Sequence, residues 1–225
     1  DKRGIGESSK AMIAEKDLRF THLVDDVKAW VKLLAKDQRF SSIIIAGHSE
    51  GSLIGMLAAQ NNPQVAKYIS IAGAAEGADQ LLKQQLAAQP EAVKKQIYDM
   101  IDQLKSGKTI SNVPVSLHAL FRPDVQPYMI SWLRYTPSDE LKKLKQPVLI
   151  VQGTTDIQVD EKQGTMLHAA KPNAQLALIK DMNHVLKHCP SMNQLEQQKT
   201  YQSPTPRVSG ELVKRMAEFI KKKTP

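Results

Sequence analysis

The sequence predicts an α/β protein with a mainly parallel sheet that is covered by helices on both faces. Short apolar runs, typical of fully buried strands, alternate with longer segments whose apolar residues recur at intervals of three and four. A third observation is a sharp-turn signal, Gly47-His48-Ser49-Glu50-Gly51, placed between one such strand and one such helix. Strands that alternate with helices favour parallel pairing, because each helical crossover returns the chain to the same end of the sheet.

The elements are predicted in chain order. A helix covers 17–36, because its apolar residues from Phe20 to Leu34 recur at helical spacing. The apolar run Ser42-Ile43-Ile44-Ile45-Ala46 predicts a strand, and the helix after the turn runs to about Gln60, where Asn61-Asn62-Pro63 ends it. Further strands are predicted at 65–72, 147–153 and 175–179, a helix at 160–170 with Asp160 as N-cap and Gln163 as its reciprocal partner, and a final helix at 209–223 that turns Leu212, Val213, Met216, Phe219 and Ile220 inward.

Two stretches interrupt the alternation. Residues 74–145 contain helical periodicity without a strand pattern, and prolines divide the second half of this stretch. We therefore expect a helical lid inserted at about 74–145 within a single domain that spans 1–225. The second stretch, 187–208, is rich in Gln, Ser and Pro and predicts a long surface loop.

Composition excludes several classes of function. The chain has 225 residues and a formal net charge of +8, but its basic residues are scattered over helical stretches and are not interleaved with aromatic residues. Solvated helix faces therefore explain the charge better than nucleic-acid binding does. The one cysteine, Cys189, cannot form an intrachain disulfide and leaves the compartment open. No apolar run is long enough to cross a membrane.

The turn at 47–51 carries the strongest functional signal. A serine between a strand and a helix in the pattern G-x-S-x-G is typical of a nucleophile elbow, which holds the serine in a strained backbone conformation. We expect Gly47 and Gly51 to be needed because strand and helix pass too close for a Cβ at either position. The backbone N–H of Glu50 would then point at an oxyanion beside Ser49. The alternative is a glycine-rich turn in some other α/β protein.

A serine nucleophile needs a base, and the base needs an acid that fixes its tautomer. Because the carboxyl ends of parallel strands meet at one edge of the sheet, the acid is expected after the strand at 147–153 and the base after the strand at 175–179. Asp156 and His184 stand at these places. Asp160, which has a capping role, and Asp181, which is next to the histidine, are less suitable candidates for the acid. His48, His118 and His168 are less suitable candidates for the base, and His188 is the serious substitute for His184.

With these residues the chain resembles the esterase/lipase branch of the α/β-hydrolase superfamily, close to the serine aminopeptidase-like hydrolases with a helical cap. The resemblance is carried by residues 1–8, which match the family's D-x-R-G-x-G-x-S loop, by 47–51, by Gln152-Gly153-Thr154-Thr155-Asp156 and by Asn183-His184. It implies an acyl-transfer enzyme in which Ser49 attacks a carbonyl, His184 transfers the proton and Asp156 supports it, with the Glu50 N–H as one of two oxyanion donors.

The same resemblance implies strands that this sequence does not include. In that family the loop resembling residues 1–8 follows the fourth strand, and the second oxyanion donor lies in a loop after the third. The strand at 42–46 would otherwise be an unpaired apolar edge. We therefore expect an N-terminal segment, supplied by the same protein or by another chain.

The expected activity is hydrolysis of carboxylic esters with small or medium acyl groups, without a cofactor. Aromatic residues of the lid either wall an acyl pocket or form the lid's own core; the candidates are Phe121, Tyr128 and Trp132. Thioesterase or peptidase activity is the first alternative, and for a peptidase Glu50, Glu76 and Asp79 are the acidic candidates. A binding protein without chemistry is the second. Serine in the elbow disfavours dehalogenase chemistry, and the histidines lack metal-ligand spacing.

Overall fold

A computed structural model describes residues 1–222 of the chain and shows a four-stranded sheet. The order is β1-β2-β3-β4 and every neighbouring pair is parallel. The strands are β1 (Ile43–His48), β2 (Val65–Ile71), β3 (Val148–Gly153) and β4 (Gln175–Ile179). The four predicted strands are thus confirmed, and β1 runs two residues further into the turn than the sequence indicates.

The register brings the carboxyl ends of the strands together. Gly47 lies opposite Ser70, Ser70 opposite Ile150, and Gly153 opposite Ile179. The β3 side chains are buried on both faces, as expected for a strand with a neighbour on either side. In the described chain β1 lies at one edge of this sheet.

Residues 28–75 and 137–222 form a compact unit around the sheet. Its helices precede the first strand, lie between successive strands or follow the last one. They are the end of α1 (Phe20–Leu34), α2 (Glu50–Ala59), α7 (Pro137–Lys142), α8 (Glu161–Ala170), α9 (Gln194–Gln202) and α10 (Gly210–Lys221).

One face of the sheet packs against α10. Ile69 of β2 and Leu149 of β3 belong to a buried apolar cluster that also contains Leu212 and Phe219 of α10. Residues two apart on a strand point to the same face, so this cluster extends along both strands. The amphipathic pattern of the last helix is therefore confirmed for Leu212 and Phe219.

The opposite face packs against α2 and α8 through close and polar contacts. Ser52 Oγ lies 3.0 Å from Tyr68 Oη and 2.8 Å from Ser70 Oγ, while Tyr68 Oη donates to the Ser52 carbonyl oxygen at 2.7 Å. Burial raises the pKa of Tyr68, so its hydroxyl remains a donor. A Cβ on Gly164 of α8 would lie 2.7 Å from Gln152 Cβ, which shows how closely α8 approaches β3.

Residues 1–27 and 76–136 form a second compact unit, which is helical. It contains the start of α1 and α3 (Ala78–Gln85), α4 (Glu91–Lys105), α5 (His118–Phe121) and α6 (Gln126–Trp132), with short 3₁₀ turns. Most of the stretch expected as an insertion lies in this unit, while 1–27 joins it as well. Arg122 Nε donates to Glu15 Oε2 at 2.9 Å, and Phe20 N donates to Ser131 Oγ at 2.8 Å, so both parts of the chain are connected.

Two predictions about the C-terminal part are wrong. The stretch 187–208 contains the helix α9, whose N-cap Asn193 accepts hydrogen bonds from the Leu195 and Glu196 N–H groups. Val213 and Ile220 of α10 are 57% and 44% exposed, so they do not face the core. α10 ends at Lys221, and Lys223 of the predicted helix lies outside the described residues.

No helix within 1–222 is both long and apolar enough to cross a membrane.

Candidate active site

Ser49 lies in the tight turn between β1 and α2. Its backbone has φ 56° and ψ −122°, a left-handed conformation that costs a non-glycine residue about 1–3 kcal/mol. The strain is held by a hydrogen bond from Ser49 N to the Ile71 carbonyl oxygen at 2.9 Å. The strained elbow predicted from the sequence is confirmed in its geometry.

The two glycines of the turn are not equivalent. A Cβ on Gly47 would lie 2.1 Å from the carbonyl oxygen of Gly51 and 2.8 Å from Ser52 Cα, so the strand and helix backbones meet at Gly47. A Cβ on Gly51 would meet nothing within 4 Å. The expectation that both positions exclude a side chain is therefore wrong for Gly51, because its own Cα faces open space while its carbonyl fills the space at Gly47.

Asp156 lies in the loop after β3, where it is 1% exposed. Its Oδ1 accepts hydrogen bonds from the N–H groups of Gln158 at 2.8 Å and Val159 at 2.9 Å. Its Oδ2 accepts one from Gln152 Nε2 at 3.3 Å. These three donors point both carboxylate oxygens in fixed directions.

His184 lies in the loop after β4 and joins Asp156 to Ser49. Its Nδ1 is 2.8 Å from Asp156 Oδ2, and its Nε2 is 3.1 Å from Ser49 Oγ. Because a carboxylate only accepts, the proton of neutral His184 lies on Nδ1. Nε2 is then an acceptor directed at the serine hydroxyl. The structure thus brings together all three side chains selected from the sequence.

His48 is the residue near this site that the sequence reasoning missed. Its Nε2 donates to the His184 carbonyl oxygen at 2.8 Å, and the two rings lie 4.8 Å apart between centroids. Partial burial lowers the pKa of His48, as does the His184 ring, although the hydrogen bond to the carbonyl raises it. A neutral His48 with its proton on Nε2 fits this contact. In the sequence, the position of His48 next to Ser49 is the one signal that could have indicated its contact with the His184 loop.

The competing candidates have other places. Asp160 caps α8, where its side chain accepts from Gln163 N, as predicted. The Gln163 side chain accepts instead from Ala75 N at 2.9 Å. Asp181 has φ 56° and shapes the loop before His184, and His188 is exposed on the same loop. His184, rather than His188, therefore has the geometry of the base.

The remaining predicted site residues are separate from this hydrogen-bonded chain. Glu50 is the first residue of α2, so its N–H belongs to the amino terminus of a helix, which suits an oxyanion. Phe121 is 0% exposed in the core of the helical unit, which contradicts its assignment to substrate contact. Tyr128 and Trp132 are partly exposed and pack around Phe20 in the same unit.

Within residues 1–222 no group of three His, Cys, Asp or Glu side chains is arranged to hold a metal ion.

Comparison with known proteins places the chain in a family. Residues 1–126, more than half of the chain, match the family described as "Serine aminopeptidase, S33". The chain belongs to this family. It is an α/β hydrolase, so the resemblance drawn from its sequence is confirmed at the level of the superfamily. No curated protein matches the chain in sequence.

Solved structures of other α/β hydrolases are similar to this S33-family chain. A bromoperoxidase from Bacillus anthracis has a TM-score of 0.56 and 17% identity, over 99% of this chain and 80% of that one. An alpha/beta fold family hydrolase from Bacillus anthracis str. Sterne has a TM-score of 0.55 and 19% identity, over 88% and 78%. Est1E from Butyrivibrio proteoclasticus has a TM-score of 0.55 and 18% identity, over 92% and 72%. At these identities the likeness shows the fold.

Proposed function

We propose that the protein is a serine esterase that cleaves carboxylic esters with small or medium acyl groups through an acyl-enzyme intermediate. The observation that carries this proposal is the continuous chain of hydrogen bonds from Asp156 through His184 to Ser49. A serine in a strained turn, with an imidazole acceptor at its hydroxyl and a buried carboxylate behind it, has the arrangement that acyl transfer needs.

In this proposal the reaction has two halves. Ser49 Oγ attacks the ester carbonyl carbon as its proton moves to His184 Nε2, and Asp156 stabilises the resulting imidazolium. The Glu50 N–H donates to the oxyanion of the tetrahedral intermediate. Nε2 then returns the proton to the leaving alcohol as the C–O bond breaks. A water molecule repeats the sequence on the acyl-enzyme and releases the acid and free Ser49.

Tyr128 and Trp132 stay the candidates for contact with the acyl group. Tyr128 and Trp132 keep part of their aromatic surface exposed, and such surface is suited to a wall for an acyl chain. The esterase Pf2001 from Pyrococcus furiosus and a lipase-esterase related protein from Clostridium acetobutylicum are among the structures with this fold, at 15–17% identity. They support an ester substrate by analogy of fold.

Peptidase activity is the second candidate, because the family is described as a serine aminopeptidase. A peptidase of this kind would need an accessible carboxylate for the substrate's amino group. Asp79 does not supply it, since it is 1% exposed and paired with Lys105. Glu76 accepts from Gln84 Nε2 at 3.0 Å, and with Glu50 it is the remaining acidic candidate. Thioester cleavage would use the same three side chains.

A comparison of rates on four substrates tests the proposal. Rates are measured on p-nitrophenyl acetate, p-nitrophenyl butyrate, an acyl-CoA and an aminoacyl-naphthylamide, with Ser49→Ala as the control. We expect the p-nitrophenyl esters to be cleaved fastest and Ser49→Ala to lower the rate by about 10⁴-fold or more. Faster cleavage of the naphthylamide would establish the peptidase. Absence of turnover on all four substrates would contradict the proposal and favour a binding protein with this fold.

A further inference from the structure

The helix α9 contacts the loop that holds Asp156 and the loop that holds His184. It is composed mainly of polar residues and has only one buried side chain, Gln197, which is 0% exposed. Burying an amide in this way costs free energy unless its groups form hydrogen bonds. The hydrogen-bond partners of the Gln197 amide therefore show which segment α9 is fixed against.

Gln197 forms a hydrogen bond with the loop that contains Asp156. Its Nε2 donates to the carbonyl oxygens of Thr155 at 2.8 Å and Ser191 at 2.6 Å. Thr155 is the residue directly before Asp156. A second contact lies one turn further along α9, where Gln158 Nε2 donates to Tyr201 Oη at 2.9 Å. α9 thus contacts the acid loop on both sides of Asp156.

Thr200 accepts hydrogen bonds from the loop that contains His184. Asn183 Nδ2 donates to Thr200 Oγ1 at 2.6 Å, and Lys187 Nζ donates to the Thr200 carbonyl oxygen at 2.9 Å. Asn183 is 1% exposed and directly precedes His184, and its Oδ1 accepts from Lys187 N at 3.0 Å. The Asn183 amide therefore connects α9 with the closed turn that carries the histidine.

The two contacts come from one face of one helix. Gln197 and Thr200 are three residues apart, so their side chains are neighbours on the helix surface. One holds the residue before Asp156 and the other holds the residue before His184. A rigid helical turn between two loops fixes their separation more tightly than two independent loops would.

We propose that α9 is a brace that sets the distance between Asp156 and His184, with Gln197 and Thr200 as positioning residues. The catalytic consequence rests on the proposed function, whereas the structural consequence does not. The Asp156–His184 hydrogen bond should loosen when either contact is removed. Because a misplacement of about 1 Å can lower a rate about 100-fold, this loosening should affect kcat while substrate binding is kept.

Three single variants test the brace. Gln197→Met removes both donors at similar volume, and Thr200→Val removes the hydroxyl without changing the shape. Gln198→Met is the matched control, because Gln198 is the next residue of α9 and is exposed. The first readout is the proton NMR signal of His184 Nδ1–H, identified by its loss in His184→Gln. It depends on the hydrogen bond to Asp156 and requires no turnover.

We expect this signal to broaden or disappear in Gln197→Met and Thr200→Val and to persist in Gln198→Met. On an ester substrate, kcat should fall about 10-fold or more in the first two variants, with KM within about twofold. Thermal denaturation checks that each variant is folded, and Thr200→Val decides if Gln197→Met is not. An unchanged signal in both folded variants would overturn the brace. An intact signal in a wild-type protein that cleaves no substrate would refute the proposed function alone.

Discussion

Adding one methyl group at Gly47 should separate β1 from α2 and disable the elbow. The Cβ of Gly47→Ala would lie 2.1 Å from the Gly51 carbonyl oxygen, 2.6 Å from its carbonyl carbon and 2.8 Å from Ser52 Cα. All three atoms belong to the helix backbone. No side-chain rotation can relieve the contact, so α2 has to move as a body or lose its first turn.

The size of the effect follows from these distances. An ordinary contact of a Cβ begins at 3.4 Å, so the helix has to move by 3.4 − 2.1 = 1.3 Å at the amino terminus that carries Ser49. Overpacking of this kind costs about 1–3 kcal/mol of stability. A shift of about 1 Å of the nucleophile relative to His184 lowers the rate about 100-fold. Both effects should appear in the same variant.

Gly51→Ala is the matched control for Gly47→Ala. The new Cβ would meet nothing within 4 Å, and Gly51 lies within the first turn of α2, where alanine stabilises a helix by about 0.5–1 kcal/mol. Urea denaturation gives the stability, and kcat/KM on p-nitrophenyl butyrate gives the activity. We expect Gly47→Ala to lose both and Gly51→Ala to keep or gain stability. Equal stability and activity in the two variants would refute the close approach at Gly47.

Two further predictions concern buried charges. Burial raises the pKa of Asp79, but hydrogen bonds from Lys105 and Gln80 outweigh it and hold that pKa below its usual value of 3.8. Its ionised form therefore stabilises the fold above about pH 4 and loses this effect as the pH falls through the lowered pKa. Asp79→Asn should destabilise the protein by about 1–3 kcal/mol at pH 7. Urea denaturation should show that the difference in unfolding free energy between the wild type and this variant shrinks below about pH 4. A difference that does not depend on pH would contradict the ion pair. Lys67 is 6% exposed and donates to the carbonyl oxygens of Phe219 at 2.8 Å, Ile220 at 3.0 Å and Lys222, at the end of α10. Lys67→Met should cost about 1–3 kcal/mol in the same assay, whereas the exposed Lys214→Met on α10 should cost little; equal losses would exclude this role of Lys67.

The sheet was predictable because its strands are short apolar runs bounded by turn residues, a pattern that favours strands over helices. β4 was predicted residue for residue, and β2 and β3 within one residue. Parallel order then placed Asp156 and His184 at one edge from local information alone. The roles of the three side chains in chemistry stay predictions, and so do the oxyanion donor at Glu50 and the lid.

What could not be predicted depends on contacts between distant residues. α9 has no apolar face, so its periodicity gave no helix signal; Gln197 and Asn193 hold it through polar contacts instead. His48 contacts a carbonyl group 136 residues away, which no local pattern reports. The outward position of Val213 shows the opposite error, since an apolar residue on an amphipathic helix need not be buried.

The proposed reaction requires Ser49 to be a nucleophile that His184 activates. The direct measurement is the rate of covalent labelling by a fluorophosphonate, with mass spectrometry to locate the labelled residue. We expect a label on Ser49 in the wild-type protein, labelling that is about 10³-fold or more slower in His184→Ala, and a smaller loss of rate in Asp156→Asn. A label on another residue, or equal labelling rates in the wild type and His184→Ala, would contradict it.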